Sequence, residues 1–144
     1  MYLIINGPNL NLLGTREPEI YGNRTFADYL SELRKALPEV DIEFFQSNSE
    51  GAIIDRLQAA GADPECRGIV MNPAAYTHYS IAIADAIAAI STPVVEVHIS
   101  NIHAREEYRR HSVTAEKARA VIAGCGLDGY ELALRYLQAV DNQQ

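Results

Sequence analysis

Five short apolar runs alternate with stretches of helical period along the whole chain, and this alternation constrains the fold more tightly than any other feature. The runs cover residues 2–6, 41–47, 67–72, 94–100 and 120–124. Between them, Phe26, Leu30, Leu33 and Leu37 recur at helical spacing behind a Thr25 cap, with Pro38 as the stop. Ile53, Ile54 and Leu57 mark a second helix over residues 52–60 that ends near Gly61. Ile83, Ile87 and Ile90 mark a third over residues 79–90, halted by Pro93, and residues 130–140 carry the pattern of a last one. Strands alternating with helices predict a single α/β domain in which a five-stranded parallel sheet, of order 2-1-3-4-5 with right-handed crossovers, is covered on both faces. A chain of 144 residues that is 48% hydrophobic can bury such a core. No repeat or linker interrupts it, and only residues 141–144 read as a frayed tail.

The fourth run departs from the rule for an inner parallel strand, which should be apolar at nearly every position. Side chains alternate along a strand, so Val95, Val97 and Ile99 face one way while Glu96, His98 and Ser100 face the other. Consecutive inward polar groups are expensive unless partnered, and these lie toward the carboxyl end, where open α/β sheets keep their ligands. The run therefore reads as the floor of a site; the competing reading is an edge strand with one solvated face. Residues 101–111 follow it and predict a short arginine-bearing helix. On that helix Arg105 and Arg109 share one face, and Glu106 with Arg110 form a solvated pair on another.

The connection after the first run, residues 6–24, is far longer than most strand-to-helix loops. Gly14 and Gly22 bracket Arg16 and Tyr21, the layout of a lid over about 13–24 with hinges on either side of its reactive groups. The plain alternative is an exposed loop in which Tyr21 packs on a neighbour. In the expected topology the loops after strands one, three and four open on the same sheet edge. Asn9, Arg16, Tyr21, Asn72, His78, His98, Ser100 and Arg109 then converge on one crevice.

Charge and motif content narrow the chemistry. A formal net charge of -7 argues against nucleic acid or an anionic membrane as the main partner, while arginines at 16, 24, 105, 109 and 110 lie in or beside two motif-bearing loops and suit a small anionic ligand. Cys66 and Cys125 are too few and too far apart for a metal site or a disulfide framework. Strand-like sequence from Tyr2 onward leaves no room for a signal segment, no apolar run is long enough to span a bilayer, and a cytoplasmic location is expected. There is no dinucleotide fingerprint, no phosphate loop, no helical histidine pair and no serine elbow. The expected site therefore has no cofactor and no metal, and works by acid/base chemistry. A phenol titrates near 10, so Tyr21 needs a neighbouring guanidinium to act as a base. Lowering it by about two units takes roughly 2.7 kcal/mol, within reach of one or two desolvated arginines.

With these residues in place, the chain closely resembles the type II 3-dehydroquinases. The likeness rests on residues 6–14 (NGPNLNLLG), Arg16-Glu17-Pro18 with Tyr21-Gly22, Gln46-Ser47-Asn48, Asn72-Pro73 with Tyr76-Thr77-His78, and residues 96–106 (EVHISNIHARE), all in order. The resemblance implies a flavodoxin-like three-layer sandwich that dehydrates 3-dehydroquinate to 3-dehydroshikimate in the shikimate pathway. The reaction is an anti elimination through an enolate, without Schiff base, metal or cofactor. By the same resemblance Tyr21 is the proton acceptor, Arg16 keeps it as phenolate, Asn9 stabilises the enolate through a water, and His98 is the proton donor. Asn72, Ile99 and Ser100 are expected to hold the substrate carboxylate, His78 and Arg109 its hydroxyls, with Asp85 supplied by a neighbouring subunit. Glu96 orients His98 from behind, and the implied assembly is a dodecamer of four trimers. Ala74 stands where the family commonly has glycine, a difference that matters if that backbone has positive φ, and Ser49 replaces a frequent histidine. The alternatives are a non-catalytic flavodoxin-like module for a flavin, nucleotide or small anion, and a sugar isomerase using the same acid/base groups.

Overall fold

A computed structural model describes residues 1–15 and 17–144, with the side chains of Ile20 and Tyr21 also outside the description. Its strands are β1 (Tyr2–Asn6), β2 (Ile42–Gln46), β3 (Gly68–Asn72), β4 (Val94–His98) and β5 (Ala120–Ala123), all parallel, in the order β2-β1-β3-β4-β5. The helices are a single turn α1 (Pro18–Tyr21), then α2 (Phe26–Ala36), α3 (Glu50–Ala62), α4 (Ile81–Ala89) and α5 (Asp128–Asp141). Strand order and class agree with the sequence expectation, and β4 lies between β3 and β5, which removes the edge-strand reading.

Helices α2, α3 and α4 begin where side-chain oxygens can take up free N–H groups. Thr25 Oγ1 accepts from Asp28 N–H at 3.1 Å, Ser49 Oγ from Ala52 N–H at 3.2 Å and Ser80 Oγ from Ile83 N–H at 3.0 Å. Each such cap contributes about 1 kcal/mol. One apolar layer joins Ile4, Val70, Val95 and Val97 to Leu33, Tyr130, Leu134 and Leu137 of α2 and α5. The opposite layer joins Leu3, Ile5, Ile69 and Met71 to Ile53, Leu57, Ile83 and Ile87 of α3 and α4. β1 and β3 are buried at every position, as strands covered on both faces must be.

Two sequence expectations need correction. Residues 101–111 do not form an arginine helix: they make two separate 3-10 turns, Ile102–Ala104 and Glu107–Arg109, with Arg105 between them in an extended conformation. Only Ile102 of the two turns is buried, so no continuous apolar stripe exists to pay for a longer helix. The second concerns the tail. Asp141 is the last residue of α5, paired with Arg67 at 2.6 Å and accepting from the Tyr2 hydroxyl at 3.4 Å, which leaves only residues 142–144 beyond the helix.

Candidate active site

Register places three amides at one level across the carboxyl edge of the sheet, because Asn6 of β1 sits opposite both Gln46 of β2 and Asn72 of β3. Each has a different task. The Tyr130 hydroxyl, fully buried under the sheet, donates to Asn6 Oδ1 at 2.7 Å and accepts from Asn72 Nδ2 at 3.0 Å. Burial pushes that phenol far above its ordinary value, so it stays protonated and keeps its donor role. Asn72 Oδ1 accepts from Ala74 N–H at 3.1 Å. One N–H of the Asn72 amide is thereby left for a ligand.

Gln46 Nε2 donates to the Gly7 carbonyl at 3.2 Å and to Asn48 Oδ1 at 3.1 Å, and Asn48 Oδ1 also accepts from Asn9 N–H at 3.0 Å. These bonds hold Asn9 in the left-handed region, φ 69°. Gly7 brings β1's loop against β3's: its N–H donates to the Asn72 carbonyl at 2.8 Å, and a β-carbon there would lie 2.5 Å from the Pro73 carbonyl oxygen. Only glycine allows the approach. The proviso attached to Ala74 is met, since its φ is 54°.

On β4, His98 and Glu96 point to the same face. His98 Nε2 lies 2.9 Å from Glu96 Oε2. Burial alone would raise the Glu96 carboxyl, but hydrogen bonds from His98 and Thr114, the imidazole's charge and the Ser112 hydroxyl outweigh it, so Glu96 titrates below the ordinary carboxylate range. An ionised carboxylate only accepts, so Nε2 carries a proton and Nδ1 is the nitrogen left for the cavity. His78 has the opposite arrangement. Its Nδ1–H donates to the His111 carbonyl at 2.8 Å, leaving Nε2. Burial pushes the His78 imidazole below its ordinary 6.5, with nearby His98 and Arg109 adding to the effect against the His111 carbonyl and Glu96.

Of the residues expected at the site, Asn9, Asn72, His78, His98, Ile99, Ser100 and Arg109 line one cavity at the carboxyl ends of β1, β3 and β4. Arg105 also lines it, with Nη1 3.5 Å from Ser100 Oγ and Nη2 3.9 Å from Glu17, the residue that precedes α1. Glu106 pairs with Arg109 at 2.9 Å rather than with Arg110, because the 3-10 turn brings i,i+3 positions together. Asp85 lies on an exposed position of α4 and not in this cavity. Arg16 and the Tyr21 side chain fall outside the described residues; Gly14 and Gly22 on either side of them have φ 94° and 79°. Among the described residues no group of three or more His, Cys, Asp or Glu could hold a metal ion.

Over residues 1–138 the chain matches the family model for dehydroquinase class II. It belongs to that family. A 3-dehydroquinate dehydratase from Bacillus pumilus is 53% identical to this class II dehydroquinase chain over 138 residues, covering 94% of it and 92% of the relative. A catabolic 3-dehydroquinase from Verticillium alfalfae is 54% identical, with 93% and 89% covered. The crystal structure of a type II dehydroquinase from Propionibacterium acnes superimposes with a TM-score of 0.90 at 48% identity, over 96% of this chain and 95% of that one.

Polar positions at the ends of apolar runs singled out Asn72, His98 and Ser100, and the family resemblance supplied the roles of the other cavity residues and of Glu96 behind His98. Ser112, Thr114 and Tyr130, which hold them, were missed. Ser112 and Thr114 lie in a segment with no periodicity, and Tyr130 looked like one more apolar position of α5. The only available signal was the demand itself: a buried Glu96 needs donors from somewhere.

Proposed function

We infer that the chain is a 3-dehydroquinate dehydratase, a hydro-lyase that converts 3-dehydroquinate to 3-dehydroshikimate and water. The observation that carries the reading is His98, backed by an ionised Glu96, facing Asn9, Asn72, His78 and Arg109 across one cavity. A carboxylated polyol needs amide, imidazole and guanidinium donors, and this wall supplies all of them.

In the proposed mechanism Tyr21, held as phenolate by Arg16, takes the proton beside the ketone, and the electron pair moves onto the carbonyl oxygen. Asn9 stabilises the resulting enolate through a bound water, since preorganised donors work best where charge develops. The pair then returns as the carbon–oxygen bond breaks, and His98 gives its Nδ1 proton to the departing hydroxyl, which leaves as water. That proton exists only on the doubly protonated ring, whose Nε2–H is taken by Glu96 Oε2 at 2.9 Å. Asn72 with Ile99 and Ser100 holds the substrate carboxylate; His78 and Arg109 hold the ring hydroxyls. Asp85 reaches a neighbouring subunit's cavity in a dodecamer of four trimers, and the location is cytoplasmic. Support for the Asp85 role is its exposure on α4 away from its own chain's cavity.

The product is a conjugated enone, so ultraviolet absorbance reports turnover. Rising absorbance with the parent protein and almost none with folded Tyr21→Phe is the expected result. A folded, assembled parent that leaves 3-dehydroquinate unchanged would refute the dehydratase and favour a binding module. Equal rates would remove Tyr21 from the chemistry.

A further inference from the structure

The segment from His111 to Thr114 belongs to no regular element, yet it reaches His78 directly and His98 through Glu96. Its His111 carbonyl takes the Nδ1–H of His78, and its Val113 N–H donates to the Thr77 carbonyl at 2.9 Å. The Ser112 hydroxyl donates to Glu96 Oε2 at 2.9 Å, while the Thr114 hydroxyl donates to Glu96 Oε1. Ser112 Oγ is itself fixed, 3.2 Å from Thr114 Oγ1 and accepting from Ala115 N–H at 3.0 Å. Glu96 is 1% exposed, His98 5% and Thr114 0%, while Ser112 is half-buried, so the bond from Thr114 is the one best sheltered from water.

We propose that Ser112 and Thr114 are positioning residues for the dehydration: their hydroxyls fix the Glu96 carboxylate, and through it the His98 ring, with Nδ1 turned to the departing hydroxyl. The inference rests on the dehydratase reading for its role, though not for its geometry. A carboxylate two residues before a histidine on the same strand can swing about two side-chain torsions, and only external donors select one rotamer. The two hydroxyls take one oxygen each, leaving the second lone pair of Oε2 for His98 Nε2–H. The β-strand neighbours of Glu96, Met71 and Val121, are apolar and offer nothing in their place. The charged and titratable groups around the pair are His78, whose imidazole feels the charges of His98, Arg109 and Glu96 across the cavity, and Arg105 beside Ser100.

The test compares Thr114→Val, Ser112→Ala and Thr114→Ser for kcat, KM and the pH dependence of kcat, with nitrogen-15 imidazole spectra of His98 in the same proteins. Thr114→Val should lower kcat about 10- to 100-fold, the scale of one lost hydrogen bond to a charged group, with KM nearly unchanged. The acid limb of its profile should move to higher pH, because Glu96 loses a donor to its ionised form. Ser112→Ala should act in the same direction, and Thr114→Ser should restore the parent profile. In spectra of the neutral ring, Thr114→Val should lose the fixed Nε2–H tautomer expected of the parent. A folded Thr114→Val with the parent's acid limb and the parent's His98 spectrum overturns the proposal, as does failure of Thr114→Ser to rescue. Loss of stability in all three with an unmoved profile assigns the segment a structural role only and also overturns it. If the parent itself does not turn over 3-dehydroquinate, the dehydratase reading fails, while the spectra still decide whether these hydroxyls set the His98 tautomer.

Discussion

At the scale of single residues, two small side chains on adjoining loops do opposite things. Ala74 sits at φ 54°, where its β-carbon crowds the backbone at about 1–2 kcal/mol, whereas glycine would lose somewhat more chain entropy on folding. The strain is the larger of the two. Ala74→Gly should therefore raise the urea midpoint, by about 0.5–1 kcal/mol of stability, while Asn72 keeps its bond to the backbone N–H at 74. Gly7 is the reverse case, with a backbone carbonyl 2.5 Å from where a β-carbon would go. Gly7→Ala must push the Pro73 turn away and move Asn72 with it. A loss of about 1–3 kcal/mol and a raised KM are expected, measured by urea unfolding and steady-state turnover.

At the scale of elements, α5 is more than a cover for the sheet, because Tyr130 reaches through to join Asn6 and Asn72. Tyr130→Phe keeps the packing and leaves two buried amides short of a partner. About 1–3 kcal/mol of stability should be lost, and KM should rise as Asn72 loosens. β4 carries a pH dependence. Glu96 titrates lower in the folded protein than the ordinary 4.5, so in the window between those values the unfolded chain binds more protons. Stability from this group is complete above about pH 4.5 and falls as pH drops through the folded value. Thermal melts from about pH 6 down to pH 3 should show a shallower acid decline in Glu96→Gln than in the parent. These elements also mark what the sequence could and could not convey. Continuous apolar runs and period-3.6 patterns located every strand and main helix, since burial imposes them. Charge spacing misled at 105–110: i,i+4 pairs are compatible with a helix without causing one, and Asn101 caps only a single 3-10 turn there. The donors at 112 and 114 were illegible because a hydroxyl bound to a buried carboxylate leaves no periodic trace.

At the scale of the whole molecule, one chain supplies the cavity wall but keeps Asp85 outside it, on a face of α4 beside exposed Tyr79 (63%) and Ile81 (67%). In the proposed assembly each cavity takes its base from one subunit and Asp85 from the next, so no isolated chain has a whole site. A mixing experiment reads this directly. Tyr21→Phe and Asp85→Asn proteins, each inactive or nearly so as pure assemblies, are unfolded together, reassembled at equal amounts and assayed. A cavity is whole only when its own chain carries Tyr21 and its neighbour carries Asp85, which random mixing grants to about a quarter of the sites. Activity should return to about that fraction of a reassembled parent, and only after subunits have exchanged. If the pure variants assemble normally and the mixture stays inactive, Asp85 does not act in a neighbour's cavity, and its exposed position on α4 serves the packing of copies alone.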